Sequence, residues 1–161
     1  MNLFGLMEAS GSAMQAERVR AEVVAANMAN AETTRTESGG PYRRQHVIFA
    51  ANPSPQSFAD VLGSSTGNSI PSNLLPLGAA TRQAAGGVHI AGVVQDPSAP
   101  LKRYDPGHPD AGPDGYVSYP DINPLTEMVD LMGATRAYGL NGSAVQAEKG
   151  MISAALDIAK G

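Results

Sequence analysis

The 161-residue chain has no cysteine and no tryptophan, and aromatic residues make up only 5% of it. Without cysteine there is no disulfide framework, thiolate zinc site, iron–sulfur cluster or cysteine nucleophile. No stretch reaches the ~20 apolar residues that a membrane span needs. The start of the chain lacks the pattern of a cleaved leader, because its first cation is Arg18 and Glu8 ends the apolar run Leu3-Phe4-Gly5-Leu6-Met7. Basic charge is also short. The 11 Lys+Arg against 15 Asp+Glu leave a formal net charge of −4, which argues against a general nucleic-acid binder. What is abundant is glycine (18), proline (12) and alanine. Hydrophobic residues total 42%, too many to force disorder. Much of that share is alanine, which buries little area, so a large self-contained core is not expected.

Three zones follow along the chain. Residues 1–31 read as one helix. Leu6, Ala9, Ala13, Ala16, Val23 and Asn27 recur at spacings of three, four and seven and define one face, with charges mostly between them. Arg18 and Glu22 can meet at i,i+4. Residues 122–161 read as a second, longer helix. Leu131, Tyr138, Val145 and Ile152 recur every seven residues, thickened by Met128, Val129, Met132, Met151 and Leu156. Asn123-Pro124 is a capping side chain followed by proline at the first helical position. Glu127 and Lys160 suit the two ends of the helix dipole. Gly133, Gly139, Gly142 and Gly150 interrupt the pattern, each at a cost of ~1 kcal/mol against alanine. They imply either two shorter helices or close helix–helix contact through small residues one turn apart.

Residues 32–121 differ in kind. Val47-Ile48-Phe49, Val88–Gln95, Leu101–Tyr104 and Tyr116–Tyr119 are strand candidates. The run 105–115 is dense in Asp, Gly and Pro, which marks turns. Residues 50–87 form an insert whose stretch Val61–Thr81 holds no charge and reads as a flexible loop. The expected fold is therefore α+β: long N- and C-terminal helices packed as an antiparallel coiled-coil pair, with a small antiparallel β-hairpin-rich insert between them. Two helices alone leave apolar surface over, which asks for further copies or partners.

Catalytic patterns are weak. Gly63-Ser-Ser65-Thr-Gly67 has the letters of a nucleophile elbow but no strand before it or helix after it. Asp105, His108, Asp110 and Asp114 do not have calcium-loop spacing and read as turn residues. His46 and His89 are single histidines without a second ligand at metal spacing. Arg43-Arg44 is a basic pair, either solvated or facing an acidic partner surface. No phosphate cradle, paired catalytic carboxylates or cofactor motif is present, so the reading is of a non-enzyme without cofactors, small-molecule substrate or nucleic-acid partner.

The segment Ala26-Asn27-Met28-Ala29-Asn30-Ala31-Glu32-Thr33-Thr34-Arg35 resembles the Asn-Ile-Ala-Asn-x-x-Thr signature of bacterial flagellar rod and hook proteins, with Met28 in place of the usual isoleucine. Gly39-Gly40-Pro41-Tyr42-Arg43-Arg44 narrows the likeness to proximal-rod members of that family. So do the run from Tyr104 through Asp114-Gly115-Tyr116-Val117, Tyr119-Pro120-Asp121-Ile122-Asn123, Glu127-Met128-Val129, Ala134-Thr135-Arg136-Ala137-Tyr138 with Asn141, and Lys149. The resemblance covers Leu3–Phe49 and Val88–Lys160. Gly139 and Gly142 stand where longer or β-branched residues are common.

The resemblance implies a structural subunit of the proximal rod, the lower drive shaft of the flagellar motor. Such proteins leave the cytoplasm through the flagellar type III export apparatus without a cleaved leader. Their terminal helices form an inner coiled-coil layer around the export channel, with the β insert outside it. Implied partners are other copies, other proximal-rod proteins, the export gate and membrane-ring base below, and the distal rod above. The implied assembly motif is Asn27, Ala29, Asn30, Thr33, Thr34, Gly40, Pro41, Tyr42, Arg43 and Arg44. The expected helix-packing positions are Leu6, Ala13, Val23, Met128, Leu131, Arg136, Tyr138, Asn141, Val145 and Ile152. Two other readings are a soluble two-helix adaptor and a small hydrolase using Ser65 with His89 or His108.

Overall fold

Asn123 and Pro124 open the longer helix as their residue types predict. The Asn123 side-chain Oδ1 accepts from the Leu125 amide at 3.0 Å, and its carbonyl accepts from the Glu127 amide at 3.1 Å. The computed structural model describes residues 3–52 and 86–160. Its elements are α1 (Leu3–Ala29), β1 (Gln45–Ala51), β2 (Val88–Gln95), β3 (Leu101–Tyr104), β4 (Tyr116–Tyr119) and α2 (Pro124–Lys160). The fold is α+β, two long helices with antiparallel strand pairs between them. The uncharged insert and the Ser65 pattern lie outside the described residues.

α2 runs unbroken for 37 residues through all four glycines, so the two-helix reading does not apply. Close contact with α1 is not the explanation either. A Cβ at Gly133, Gly139 or Gly150 would meet nothing within 4 Å, and only at Gly142 would it approach α1, 3.9 Å from the Met14 sulfur. Three of the four glycines therefore stand on open helix surface.

The helices pack antiparallel. Asn27 meets Glu127, Arg20 meets Asp130, and Met14 lies beside Gly142. On α1 the buried positions are Ala16, Val24 and Asn27. On α2 they are Glu127, Ala134 and Glu148, with Asn141 half-buried between them, again at intervals of seven. The expected stripe lies one turn away: Leu131, Val145 and Ile152 are half-buried, whereas Tyr138 is exposed. Met128 and Arg136 are also exposed, so whatever packing they serve is not with α1. On α1, Ala13 and Val23 are half-buried and Leu6 sits at the exposed edge. Because α1 has 27 residues, α2 runs on past its start, and every residue from 153 to 160 is exposed.

β1 and β2 form an antiparallel ribbon from Gln45↔Gln95 to Ala51↔Val88, with a bulge between Ile48 and Phe49. β-branched residues suit this half-covered position. Both strands pack on α1 and are pinned to it at two places. At one end Gln45 bonds Asn27. At the other, the Ser12 hydroxyl accepts from the Val88 amide at 3.0 Å while donating to the Ala9 carbonyl at 2.8 Å. The lengths agree: the helix rises ~22 Å from Ser12 to Asn27, and the strand spans ~20 Å from Gln45 to Ala51.

The Ser12 end admits no side chain at Gly87, where a Cβ would lie 2.7 Å from the Ser12 Oγ and 2.8 Å from the Asn52 Nδ2. Gly87→Ala is expected to destabilise the subunit by about 1–3 kcal/mol. It should speed hydrogen exchange at the Val88 and Asn52 amides while leaving Gln45 protected.

β3 and β4 form a separate antiparallel pair, Leu101↔Tyr119 to Tyr104↔Tyr116. The 105–115 turn closes on itself through Asp105 N–H to Gly115 carbonyl at 3.0 Å and Gly112 N–H to Tyr116 carbonyl at 3.0 Å. Gly115 has φ 76°, and a Cβ there would lie 2.7 Å from the Tyr104 ring, so both backbone conformation and space require glycine. The turn docks on the segment after α1 through Asp110, which accepts from the Thr34 hydroxyl at 2.8 Å and lies 3.8 Å from the Arg35 guanidinium. Val117, Pro120 and Ile122 are buried, so β4 and the start of α2 are held to the same body.

Candidate functional site

The residues that the resemblance implies as an assembly motif split where α1 ends. Asn30 closes the helix, its amide and its side-chain nitrogen both donating to the Ala26 carbonyl, at 3.1 and 2.9 Å. The Thr33 hydroxyl donates to the Asn30 Oδ1 at 3.1 Å, and the Tyr42 amide to the Thr33 carbonyl at 3.0 Å. This is the local side-chain-to-backbone bonding expected of Asn and Thr. Ala29 is an exposed residue of the last turn. Gly39 and Gly40, with φ of 83° and 81°, turn the chain so that Pro41 and Tyr42 run back toward α1.

Asn27 behaves differently. It is 1% exposed and turns inward. Its Oδ1 accepts from the Gln45 amide at 2.9 Å and its Nδ2 donates to the Gln45 carbonyl at 2.9 Å. The side chain thus copies a neighbouring strand, meeting both backbone groups of the first residue of β1. The same Nδ2 donates to Glu127 Oε2 at 3.1 Å, and the Tyr42 hydroxyl donates to Asn27 Oδ1 at 3.2 Å.

Glu127 is the anion of this joint and is also 1% exposed. The Arg44 Nε donates to its Oε1 at 2.6 Å, and an Arg44 terminal nitrogen pairs with the same oxygen. Arg44 further approaches Asp130 at 3.7 Å, and Arg20 approaches Asp130 at 3.4 Å and Glu17 at 3.6 Å. A cavity of about 300 Å³ opens beside these groups, lined in part by Arg20, Val23, His46, Val47 and Asp130. For Arg44, then, the acidic surface expected of a partner is in its own chain. Arg43 is exposed. Burial first, and then the Glu127 charge, raise the Tyr42 phenol above its usual value. The neutral phenol is therefore the folded form, and its contribution, full below pH ~10, is lost as pH rises past that.

His46 and His89 have neighbours of a structural kind: His46 lies 3.3 Å from Asp96 and His89 2.7 Å from the Asn52 Oδ1. Asp96 accepts from the Ser98 hydroxyl at 2.6 Å and from the Ser98 amide at 2.9 Å. Those bonds, with a smaller part from His46, lower its carboxyl to about 2. Carboxyl NMR should find this midpoint about 2, and Ser98→Ala should move it up toward 3.8. Any stability it supplies is present above the unfolded value and is lost as pH falls through about 2.

Three elements thus meet at one buried polar joint: the last turns of α1, the first residue of β1 and the first turn of α2. The sequence reading named Asn27, Tyr42 and Arg44 but missed Glu127, Asp130 and Arg20 as their partners, and Ser12 and Asp110 as the other docking points. One signal was available. Glu127, Ala134, Asn141 and Glu148 keep the seven-residue interval of a buried seam, but three of the four are polar. The joint has the chemistry of a fixed connection: ion pair, amide bridge and phenol satisfy one another.

The family model described as flagella basal body rod protein matches residues 7–35, which hold most of α1 and the turn after it. The model described as flagellar basal body rod FlgEFG protein C-terminal matches residues 114–158, which hold β4 and most of α2. The FlgC basal-body rod protein of Bacillus subtilis is 38% identical over 99% of this chain and all of its own length. That of Borreliella burgdorferi is 37% identical over the whole of both chains. That of Salmonella typhimurium is 30% identical over 94% of each. With the signature segments lying on the joint that ties both helices to the insert, the chain belongs to the FlgC family of flagellar basal-body rod proteins.

Proposed function

We propose that this chain, a structural rod subunit and not an enzyme, transmits torque by packing its helices against neighbours while the polar joint keeps the β insert at a fixed angle to them. The observation that carries this reading is the joint itself. Glu127 and Asn27, both 1% exposed, connect α1, α2 and β1 at one place. A twist applied to the helices therefore passes to the ribbon through bonds and not through a free hinge. In this reading residues 1–31 and 122–161 form the inner coiled-coil layer and 32–121 the outer layer. The motif residues from Asn27 to Arg44 serve assembly by holding that geometry. The chain sits in the basal body among other rod components. As finer parts of the proposal, it is exported by the flagellar type III apparatus without a cleaved leader and contacts the membrane-ring base, export gate and distal rod.

Apolar surface left on the single chain supports the packing half of the reading. Leu125, Val129, Met132, Leu140, Leu156 and Ile158 of α2 are all exposed, more than a solitary soluble helix pair sustains. Nothing favours the two-helix adaptor or the Ser65 hydrolase. The test is mass spectrometry of detergent-extracted basal bodies from the source cell, with its deletion strain as control. The chain is expected in the rod fraction, and the deletion strain is expected to build no rod. A basal body without the chain, from a deletion strain that still swims, would overturn the proposal.

A further inference from the structure

Among the described residues, several charges of α2 form no ion pair, and two of opposite sign, Glu148 and Arg136, stand out by their surroundings. Glu148 is only 6% exposed, and its Oε2 has no hydrogen-bond partner. Among the described residues no cation lies within ion-pair distance of it. A carboxylate buried in this way is costly until a donor reaches it. Arg136 is the converse. It is exposed on α2, and among the described residues no carboxylate pairs with it. Around it lie Val129, Met132 and Leu140, all exposed, and Gly133, where a Cβ would meet nothing within 4 Å.

The two cannot meet within one chain. α2 is a single helix, so they are ~18 Å apart along its axis and ~120° apart around it. They can meet between chains. We propose that Arg136 of one copy pairs with Glu148 of a neighbouring copy, with the apolar surface around each closing over the pair. The inference rests on the rod reading and names the partner of its helices: a second copy of this chain, held by different surfaces on the two sides. Such a contact does not close into a symmetric dimer; repeated, it gives a ring or an open helical array. The guanidinium supplies the donors that Glu148 lacks, and a rotation of the carboxylate side chain presents it. Gly133 and Gly139, open on the single chain, let a neighbouring backbone come close enough for the arginine to reach.

The absence of cysteine from the chain gives a clean test. The double variant Arg136→Cys/Glu148→Cys is expressed in place of the parent chain, and isolated basal bodies are treated with a short bis-maleimide cross-linker, because an Arg–Glu pair holds its Cα atoms farther apart than the ~7 Å that a disulfide spans. Cross-linked dimers and higher multimers of the chain are expected. They should be missing from each single variant, which lacks one cysteine of the contact, and from the free subunit, which has no neighbour. A chain that is present in the basal body but stays monomeric, or that links only to a different protein, overturns the proposal while leaving the rod reading intact. A parent chain missing from basal bodies removes the rod reading and this inference with it.

If the cysteine variant does not enter the rod, charge exchange decides. Arg136→Glu should shrink the swimming halo by about tenfold, and adding Glu148→Arg in the same chain should restore most of it. A double variant no better than the single one overturns the pairing.

Discussion

Replacing Arg44 by methionine is expected to destabilise the free subunit by about 3–5 kcal/mol, because it leaves the Glu127 carboxylate buried without its cation. Glu127 would keep only the Asn27 amide, 3.1 Å away, against the desolvation of a side chain that is 1% exposed. Glu127→Leu should cost less, since Arg44 still reaches Asp130 and keeps part of its surface in water. The double variant should recover much of the loss, as an apolar pair in place of a buried ion pair often does. Urea titration of the four proteins measures the cycle. A coupling near zero would mean that the joint does not hold the helices to the insert. In the cell, Arg44→Met should reduce swimming by more than its loss of stability in the free subunit explains, because the joint also sets the angle through which torque passes.

Asn27→Ala carries the second largest effect, about 3 kcal/mol, because one truncation strands several buried groups. The Gln45 amide and carbonyl, the Tyr42 hydroxyl and Glu127 Oε2 all lose a partner at once. Asn27→Asp separates the contributions. Its oxygens still accept from the Gln45 amide and Tyr42, but it donates to neither the Gln45 carbonyl nor Glu127, and it sets a second carboxylate beside the first. Asp is therefore expected to be at least as harmful as Ala, despite its closer shape. Thermal unfolding checks the order, and hydrogen exchange at Gln45 checks the cause. If Asp is tolerated and Ala is not, the amide serves only as an acceptor and the bridge to Glu127 contributes nothing.

The outer part of the helix pair is held less firmly than the joint. Its polar anchor is Ser12 on Val88, and the buried Glu148 works against it. α2 also carries glycines there that α1 does not cover. An order of opening follows, with the far ends of the helices exchanging hydrogen before the joint. In the proposed rod, neighbours supply the contacts that the single chain leaves open, so assembly and the ordering of these ends are one event.

Much of the architecture is written in local residue chemistry. Asn123-Pro124 starts α2 because a cap and a proline need no tertiary help. Val88–Gln95 is a strand because β-branched residues crowd it, and Asn30 and Thr33 close α1 through their own side chains. The signature segments alone place the chain among flagellar rod proteins. What the residues could not say is which groups meet across distance. Glu127 reads as a charge suited to the start of a helix dipole, yet it is 1% exposed, because Arg44 and Asn27, the latter a hundred residues away, reach it; Glu148, which the sequence reading leaves unmarked, is 6% exposed. Asn27 reads as one position of a helix face, and only the fold shows it as the bridge to β1. The four glycines read as a break or a contact, and only the packed pair shows that three of them face outward. Local preference acts within a turn or a strand and is carried by neighbouring residues. Burial and charge pairing depend on where the folded chain brings its distant parts together, and that only the tertiary structure decides.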